Sequence, residues 1–310
     1  MRRSTVLGLI GSGVSASLSP LLHEAEGRAQ SHALVYRTID FPAAGLDPAE
    51  LAQMLRFASA LGFDGLNVTH PFKARVVDHL DEIDRHVELL GAANTIVFRN
   101  GRRIGFNTDI VGFTDAFRRE LAGARVESVL QLGAGGAGVA VAYALLELGV
   151  RALSIHDIAP DRSAALVAKL RSRFPDRSLS DASDAEAAAL HADGVVNTTP
   201  VGMAGHPGTP LRPDAIAPSS WVADIVYFPR ETQLLRAARA RGCQTMNGGS
   251  MLVYQAAAAF SHFTGLEANA ERMFKSFRDA REYDAPELRK SPIDLNVARR
   301  APISILRGSQ

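Results

Sequence analysis

The 310-residue chain has a formal charge of +1, with 46% hydrophobic and 22% charged residues. This balance is typical of a soluble globular protein and excludes a polyanion-binding protein, so no nucleic-acid or membrane partner is expected. Cys243 is the only cysteine, which excludes a disulfide framework and a cysteine-based metal site and favours a cytoplasmic location. The length allows two domains with full cores.

The first segment, residues 5–10, is a continuous apolar run typical of a buried parallel strand and too short for a signal peptide. The loop after it contains Ser17 and Ser19, and Pro20 follows directly. This order predicts that Ser19 is the N-cap of a helix. Ser17 and Ser19 at that positive helix end are candidates to bind a small carboxylate, and the alternative for Ser19 is capping alone.

Hydrophobic patterns then predict a strand over 33–40, a helix over 48–61 and a short strand over 65–68. Asn67, Thr69 and Lys73 cluster at the carboxyl end of that short strand, where open α/β sheets bind ligands. The alternative for each of them is a solvated surface group.

Asn100-Gly101 lies between two strand-like runs and predicts a two-residue hairpin turn. Stepping outward from this turn pairs Asn94 with Asn107. The two amides and Asp109 are therefore expected to converge at the open end of the hairpin. A helix is predicted over 113–121, and we place the first domain boundary after Asp109.

Residues 128–132 predict a strand that leads into the glycine pattern GAGGAG at 133–138 and then into a helix. In a βαβ unit these glycines allow a tight turn, close approach of a pyrophosphate and close packing of helix on strand. A second strand over 152–156 ends at Asp157, where an acid holds a ribose 2′-hydroxyl. The pattern predicts a nicotinamide cofactor, and the alternative is an unoccupied fold of the same class.

Further along, helices are predicted around 164–167 and over 185–190, and strands over 193–197 and 221–227. The loop after the first of these strands lies at the carboxyl edge of the sheet and is expected to contact the cofactor. A long helix is predicted from Met251. Scattered prolines among charges after about residue 280 predict an extended or flexible tail over 281–310.

Several motifs in this order resemble the shikimate dehydrogenase family, and more closely its NAD-dependent quinate/shikimate dehydrogenase branch. They are SLSPLLH at 17–23, GLNVTHPFK at 65–73, GAANT at 91–95, NTD at 107–109, the glycine loop at 133–138, NTTPVGM at 197–203 and MLVYQA at 251–256. The resemblance extends from about residue 6 to about residue 277. Ser250 departs from the family pattern, which has glycine there.

This resemblance implies an α/β fold with an N-terminal substrate domain over 1–109, completed by 250–280, and a Rossmann domain over 110–249. The active site is implied in the cleft between them, with Lys73 and Asp109 as the catalytic pair and with Ser17 and Ser19 on the substrate carboxylate. The other implied substrate contacts are Asn67, Thr69, Asn94, Gln255 and Tyr227. The expected cofactor contacts are Gly133, Ala134, Gly135, Gly136, Ala137, Asp157, Arg162, Thr198, Pro200 and Val226.

The implied reaction is the interconversion of shikimate and 3-dehydroshikimate, with quinate as a poorer substrate. NAD is expected over NADP because a 2′-phosphate would meet the Asp157 carboxylate, although Arg162 could neutralise it or stack on adenine. An NADP-dependent enzyme, a quinate or aminoshikimate dehydrogenase of a specialised pathway, and a ligand-sensing module without turnover stay open as alternatives. The sequence also leaves open whether the protein is a monomer or a homodimer, and whether Lys73 transfers the proton itself.

Overall fold

The computed structural model describes residues 4–280, so the tail predicted over 281–310 lies outside the described residues. The first of two sheets has six strands in the order β2-β1-β3-β5-β6-β4. Its strands are β1 (Thr5–Gly11), β2 (Leu34–Asp40), β3 (Gly65–Val68), β4 (Glu82–Ile83), β5 (Thr95–Arg99) and β6 (Arg102–Phe106). The helices along this part of the chain are α1 (Ser19–Ala29), α2 (Leu51–Ala60) and α3 (Arg85–Leu90).

The second sheet is entirely parallel and has the order β12-β11-β10-β7-β8-β9. Its strands are β7 (Ser128–Leu132), β8 (Ala152–His156), β9 (Ser178–Asp181), β10 (Gly194–Asn197), β11 (Trp221–Asp224) and β12 (Gln244–Asn247). The accompanying helices are α4 (Asp109–Glu120), α5 (Gly136–Glu147), α6 (Pro160–Arg171), α7 (Ala185–Ala189) and α8 (Gln233–Ala240). Taken from β9 to β12, this is the strand order of dinucleotide-binding sheets. The predicted α/β class with a Rossmann sheet is confirmed.

Of the last two helices, α9 (Gly248–Thr264) returns to the first sheet, and α10 (Ala270–Asp279) packs on α1 and α9. Ala259 and Phe263 of α9 pack with Leu7 and Val97 on one face of that sheet. A Cβ atom on Gly65 would lie 2.3 Å from the Phe263 ring, so β3 needs glycine where α9 crosses it. The far end of the described chain therefore covers its beginning.

The predicted hairpin register is confirmed. Asn100 and Gly101 form the turn with φ angles of 52° and 74°, both positive as a type I′ turn requires. At the open end, Thr95 pairs with Phe106, and the Asn94 amide donates to the Phe106 carbonyl at 3.1 Å. The polar groups that follow β6 are thereby brought beside those that precede β5.

Three predicted helix starts are wrong. Helix α9 begins at Gly248 rather than at 251, and the Asn247 side chain caps it by accepting from the Gly249 amide at 2.8 Å. The other two are wrong for a shared reason. Leu18, not Ser19, is the N-cap of α1, because the Ser17 hydroxyl accepts a hydrogen bond from the Ser19 amide at 3.2 Å. Helix α4 begins at Asp109 rather than at 113, because the Asn107 side chain accepts from the Asp109 amide at 3.0 Å. In both cases a side chain two positions upstream satisfies the amide at the helix start.

Among residues 4–280, no helix has the length and apolar character needed to span a bilayer. The same residues contain no group of three or more histidine, cysteine, aspartate or glutamate side chains that could hold a metal ion.

Candidate functional site

An ion pair lies where β3 and the β5–β6 hairpin end. Lys73 Nζ donates to Asp109 Oδ2 at 2.6 Å, and the exposed fraction is 20% for the lysine side chain and 3% for the aspartate. Asp109 is the first residue of α4, where the helix dipole favours a negative charge. The buried Asp109 carboxylate is therefore held in place, while the partly exposed Lys73 ammonium can still contact a ligand.

The Asn94 side chain fixes the orientation of that carboxylate. Its Nδ2 donates to Asp109 Oδ1 at 2.9 Å and to Thr108 Oγ1 at 3.0 Å, and its Oδ1 accepts from the Thr108 amide at 2.9 Å. Gln255 Oε1 lies 3.4 Å from the same Nδ2. The hairpin, α4 and α9 thus meet at one polar cluster. The predicted hairpin register places Asn94 and Asp109 in it, but neither Thr108 nor Gln255.

Gln255 reaches this cluster because α9 packs unusually close to α4. A Cβ atom on Gly112 would lie 2.9 Å from the Met251 carbonyl oxygen and 2.9 Å from Gln255 Cβ. Glycine at 112 therefore sets the separation of the two helices, and with it the position of Gln255 relative to Asp109.

A second polar group lies at the α1 end of the first sheet. The Ser17 hydroxyl donates to Ser19 Oγ at 3.2 Å, and the Tyr36 hydroxyl donates to Asn67 Oδ1 at 2.7 Å. Burial raises the pKa of Tyr36, and a hydrogen bond with Ser19 offsets part of that rise. Tyr36 thus holds Asn67 and lies beside the Ser17–Ser19 pair. From the sequence alone it is predicted only as a strand residue. A buried tyrosine needs a partner for its hydroxyl, which is the signal that points to it.

The two remaining candidate substrate contacts lie at the edges of this region. Thr69 follows β3, and its amide donates to the Ile10 carbonyl at 3.0 Å. Tyr227 follows β11 but packs against an apolar cluster that includes Leu22 of α1 and Ala256 of α9, and burial raises the pKa of its hydroxyl. Tyr227 therefore extends from the second sheet to the helices that cover the first.

The glycine loop after β7 divides into packed and open positions. Gly133 has a φ of 99°, and a Cβ atom on it would lie 2.7 Å from Thr198 Oγ1, while one on Gly138 would lie 2.5 Å from the Gly133 carbonyl oxygen. Cβ atoms on Gly135 and Gly136 would meet nothing within 4 Å. Helix α5 begins at Gly136 without a side-chain cap, so backbone amides at its start are open to an anion. These residues fit the pyrophosphate of a dinucleotide.

Asp157 lies beside this loop at the end of β8. Its Oδ2 accepts from the Ala134 amide at 2.8 Å and its Oδ1 from the Ala159 amide at 2.9 Å, so the carboxylate has a fixed position. Arg162 is exposed on α6 and forms no ion pair with Asp157 in the described part of the chain. Ile158, with 95% of its surface exposed, follows the acid directly.

The loop after β10 is held against the glycine loop. Thr198 Oγ1 donates to the Leu132 and Gly133 carbonyls at 2.8 and 2.9 Å, and the exposed Pro200 lies two residues further on. Next to it, the Val226 amide donates to Asp224 Oδ1 at 3.0 Å. Burial raises the pKa of Asp224 to about 6. Asp224 is the one member of this group that the sequence analysis does not single out.

The chain matches two family descriptions and a set of known relatives. Residues 9–96 match the shikimate dehydrogenase substrate binding domain, and residues 250–273 match the shikimate 5′-dehydrogenase C-terminal domain. The shikimate dehydrogenase (NADP(+)) of Streptomyces avermitilis is 50% identical over 87% of this chain and 94% of the relative. The quinate/shikimate dehydrogenase (NAD(+)) of Corynebacterium efficiens is 46% identical over 88% of this chain and 98% of the relative.

Among solved structures, quinate dehydrogenase from Corynebacterium glutamicum in complex with NAD is similar at a TM-score of 0.84 and 45% identity. The match covers 89% of this chain and 99% of that one. The likeness thus extends over both sheets and the returning helices. On the strength of these matches, the chain belongs to the shikimate dehydrogenase family.

Proposed function

We propose that this chain interconverts shikimate and 3-dehydroshikimate with NAD, and that it oxidises quinate as a poorer substrate. The observation that carries the proposal is the Lys73–Asp109 pair, in which a partly exposed ammonium lies 2.6 Å from a buried carboxylate beside Asn94 and Gln255. The names of the relatives, which include shikimate dehydrogenases and quinate/shikimate dehydrogenases, support the same substrate class.

Lys73 is the group that exchanges the proton of the substrate hydroxyl. In ketone reduction its ammonium donates a proton to the oxygen, and in alcohol oxidation the neutral amine accepts it. Asp109 and Asn94 hold Lys73 in place, and they need no reorganisation during the reaction because their hydrogen bonds are already formed. The nicotinamide ring, when bound, supplies or accepts the hydride.

On the substrate side, we assign Ser17 and Ser19 to the carboxylate. Two hydroxyl donors near the start of α1 match an anionic group. The ring hydroxyls are assigned to Asn94 and Gln255 beside the ion pair and to Asn67, Thr69 and Tyr227 further from it. In this proposal residues 1–109 and 250–280 form the substrate domain, residues 110–249 form the cofactor domain, and the substrate binds in the cleft between them.

On the cofactor side, the amides of the open glycine loop would hold the pyrophosphate, and Asp157 the adenosine ribose. The loops after β10 and β11, which include Thr198, Pro200 and Val226, would border the nicotinamide end. The fixed Asp157 carboxylate supports NAD over NADP, because a 2′-phosphate would lie against a negative charge. The Streptomyces avermitilis relative is named for NADP, so the cofactor must be tested directly.

The test is a matrix of four reactions with the purified full-length chain: shikimate or quinate, each with NAD or NADP, followed by nicotinamide absorbance. We expect the highest kcat/KM with shikimate and NAD. Lys73→Ala, which leaves the glycine loop intact, serves as the matched control for background reduction. An absence of turnover in all four reactions would contradict the proposal and favour the ligand-sensing alternative.

A further inference from the structure

The direction of each hydrogen bond around Asn67 follows from the atoms present. The Asn94 backbone carbonyl can only accept, so the Asn67 atom 3.3 Å from it is Nδ2. Asn67 Oδ1 therefore faces Tyr36, and the Tyr36 hydroxyl, at 2.7 Å, must be the donor. The single proton of Tyr36 is thus directed at Asn67.

The far side of Asn67 is fixed in the same way. Asn94 Oδ1 accepts from the Thr108 backbone amide, so it is an oxygen, and Thr95 Oγ1 at 3.0 Å must donate to it. Thr95 Oγ1 then accepts from Asn67 Nδ2, also at 3.0 Å. Both N–H groups of Asn67 are engaged, so its side chain meets a substrate hydroxyl only as an acceptor, through Oδ1.

Towards α1, the Tyr36 oxygen remains free to accept because its proton goes to Asn67. On that side the Ser17 hydroxyl donates to Ser19 Oγ at 3.2 Å, and Ser19 offsets part of the rise that burial causes in the pKa of Tyr36. A ligand carboxylate can therefore attract both serine protons without withdrawing the proton that holds Asn67. The bond from Tyr36 to Asn67 is independent of whether the carboxylate is bound.

Tyr36 itself has little freedom to move. Only 4% of its surface is exposed, and its ring stacks on the buried His23 ring with centroids 5.0 Å apart. Burial lowers the pKa of His23 to about 3, so the ring beneath Tyr36 stays neutral near neutral pH. Water cannot readily replace the Tyr36 hydroxyl in this enclosed position.

We propose that Tyr36 is a positioning residue of the substrate pocket, which holds Asn67 as a hydrogen-bond acceptor beside the Ser17–Ser19 pair. This inference rests on the proposed function, in which those three side chains contact the substrate. Tyr36 does not contact the substrate itself; it acts through these side chains and takes no part in proton or hydride transfer. Its loss should therefore weaken substrate binding rather than slow the chemical step.

The test is Tyr36→Phe, which keeps the ring on His23 and removes only the hydroxyl. We expect KM for shikimate to rise about tenfold, while kcat changes by less than about twofold and KM for NAD stays the same. Tyr143→Phe is the matched control, since Tyr143 is equally buried but lies in the core beside the second sheet. It should leave all three constants unchanged.

A double-mutant cycle with Asn67→Ala identifies the partner. In the Asn67→Ala background, Tyr36→Phe should raise KM for shikimate by less than about threefold, because the group it positions is gone. The same rise in both backgrounds, or an unchanged KM in Tyr36→Phe alone, would overturn the inference. So would equal increases in KM for shikimate and NAD, which indicate general disruption. Wild-type protein without turnover or shikimate binding would instead refute the proposed function, and this inference with it.

Discussion

The choice between NAD and NADP can be decided at Asp157. Both carboxylate oxygens are held by backbone amides, those of Ala134 and Ala159, at 2.8 and 2.9 Å. The Asp157 carboxylate therefore cannot rotate away from the 2′-phosphate of a bound NADP. Asp157→Asn removes the charge and retains one acceptor oxygen, so the glycine loop keeps most of its support.

Two effects set the expected size of the change. At a separation of about 5 Å and an effective dielectric constant of about 20 to 80, removing one unit of repulsion is worth about 1–3 kcal/mol for NADP. Losing a charged acceptor for the ribose hydroxyls costs NAD about 1–2 kcal/mol. Together they amount to about 2–5 kcal/mol, which should move the ratio of kcat/KM for NADP over NAD by about 30- to 5000-fold towards NADP.

The assay compares kcat/KM for both cofactors at saturating shikimate in wild type and Asp157→Asn. Asp176→Asn is the matched control, because it makes the same change in net charge in the exposed loop before the amino end of β9, whereas Asp157 follows the carboxyl end of the neighbouring parallel strand β8. A wild-type preference for NADP would refute the assignment of NAD. A ratio that does not move in Asp157→Asn would show that another group selects the cofactor.

Three further outcomes are expected. Lys73→Ala should lower kcat by about 10²–10⁴ with a much smaller change in KM, and Asp109→Ala should also lower kcat severely. Because the pair acts as a unit, kcat of the double variant should fall by less than the product of the two single decreases. A near wild-type kcat in Lys73→Ala would remove Lys73 from the mechanism. Ser19→Thr should shift the preference, measured as the kcat/KM ratio of shikimate to quinate, towards quinate by an amount equivalent to less than about 3 kcal/mol. A shift in the other direction would show that other residues discriminate between the two substrates. Asp224 has its pKa raised to about 6, so the folded protein binds its proton more tightly than the unfolded chain does, and the stabilisation from that proton is lost as pH rises from about 4 through about 6. The Thr232 hydroxyl donates to Asp224 Oδ2 at 2.7 Å. Asp224→Asn resembles the protonated acid but does not titrate, so its free energy of unfolding relative to wild type should rise by about 2–3 kcal/mol between about pH 4 and about pH 7.5 in urea titrations. An offset independent of pH would contradict this.

Local chemistry made part of the fold predictable from sequence. The Asn100-Gly101 turn fixes the hairpin register, because few residues other than asparagine and glycine accept two successive positive φ angles. The convergence of Asn94, Asn107 and Asp109 then follows by counting along two strands. The strand before the glycine loop was equally clear, because a short apolar run ends directly in Gly133.

Other features depend on partners that are distant in sequence. Strand β4 has only two residues and is defined by its pairing with β6, so no pattern of its own marks it. Tyr36 has a functional neighbour in Asn67 only because β2 and β3 flank β1 in the folded sheet. Strand β11 ends three residues earlier than its apolar run, because the Asp224 side chain accepts the Val226 amide and turns the chain.

The return of α9 to the first sheet also constrains how the protein is made. During synthesis, β1, β2 and β5 emerge from the ribosome long before Ala259 and Phe263, which cover Leu7 and Val97 on their shared face. Until then that apolar face has no cover, and Gln255 has not joined Asp109. The nascent first sheet should therefore bind a chaperone that recognises exposed apolar surface, and release it only after α9 has been synthesised.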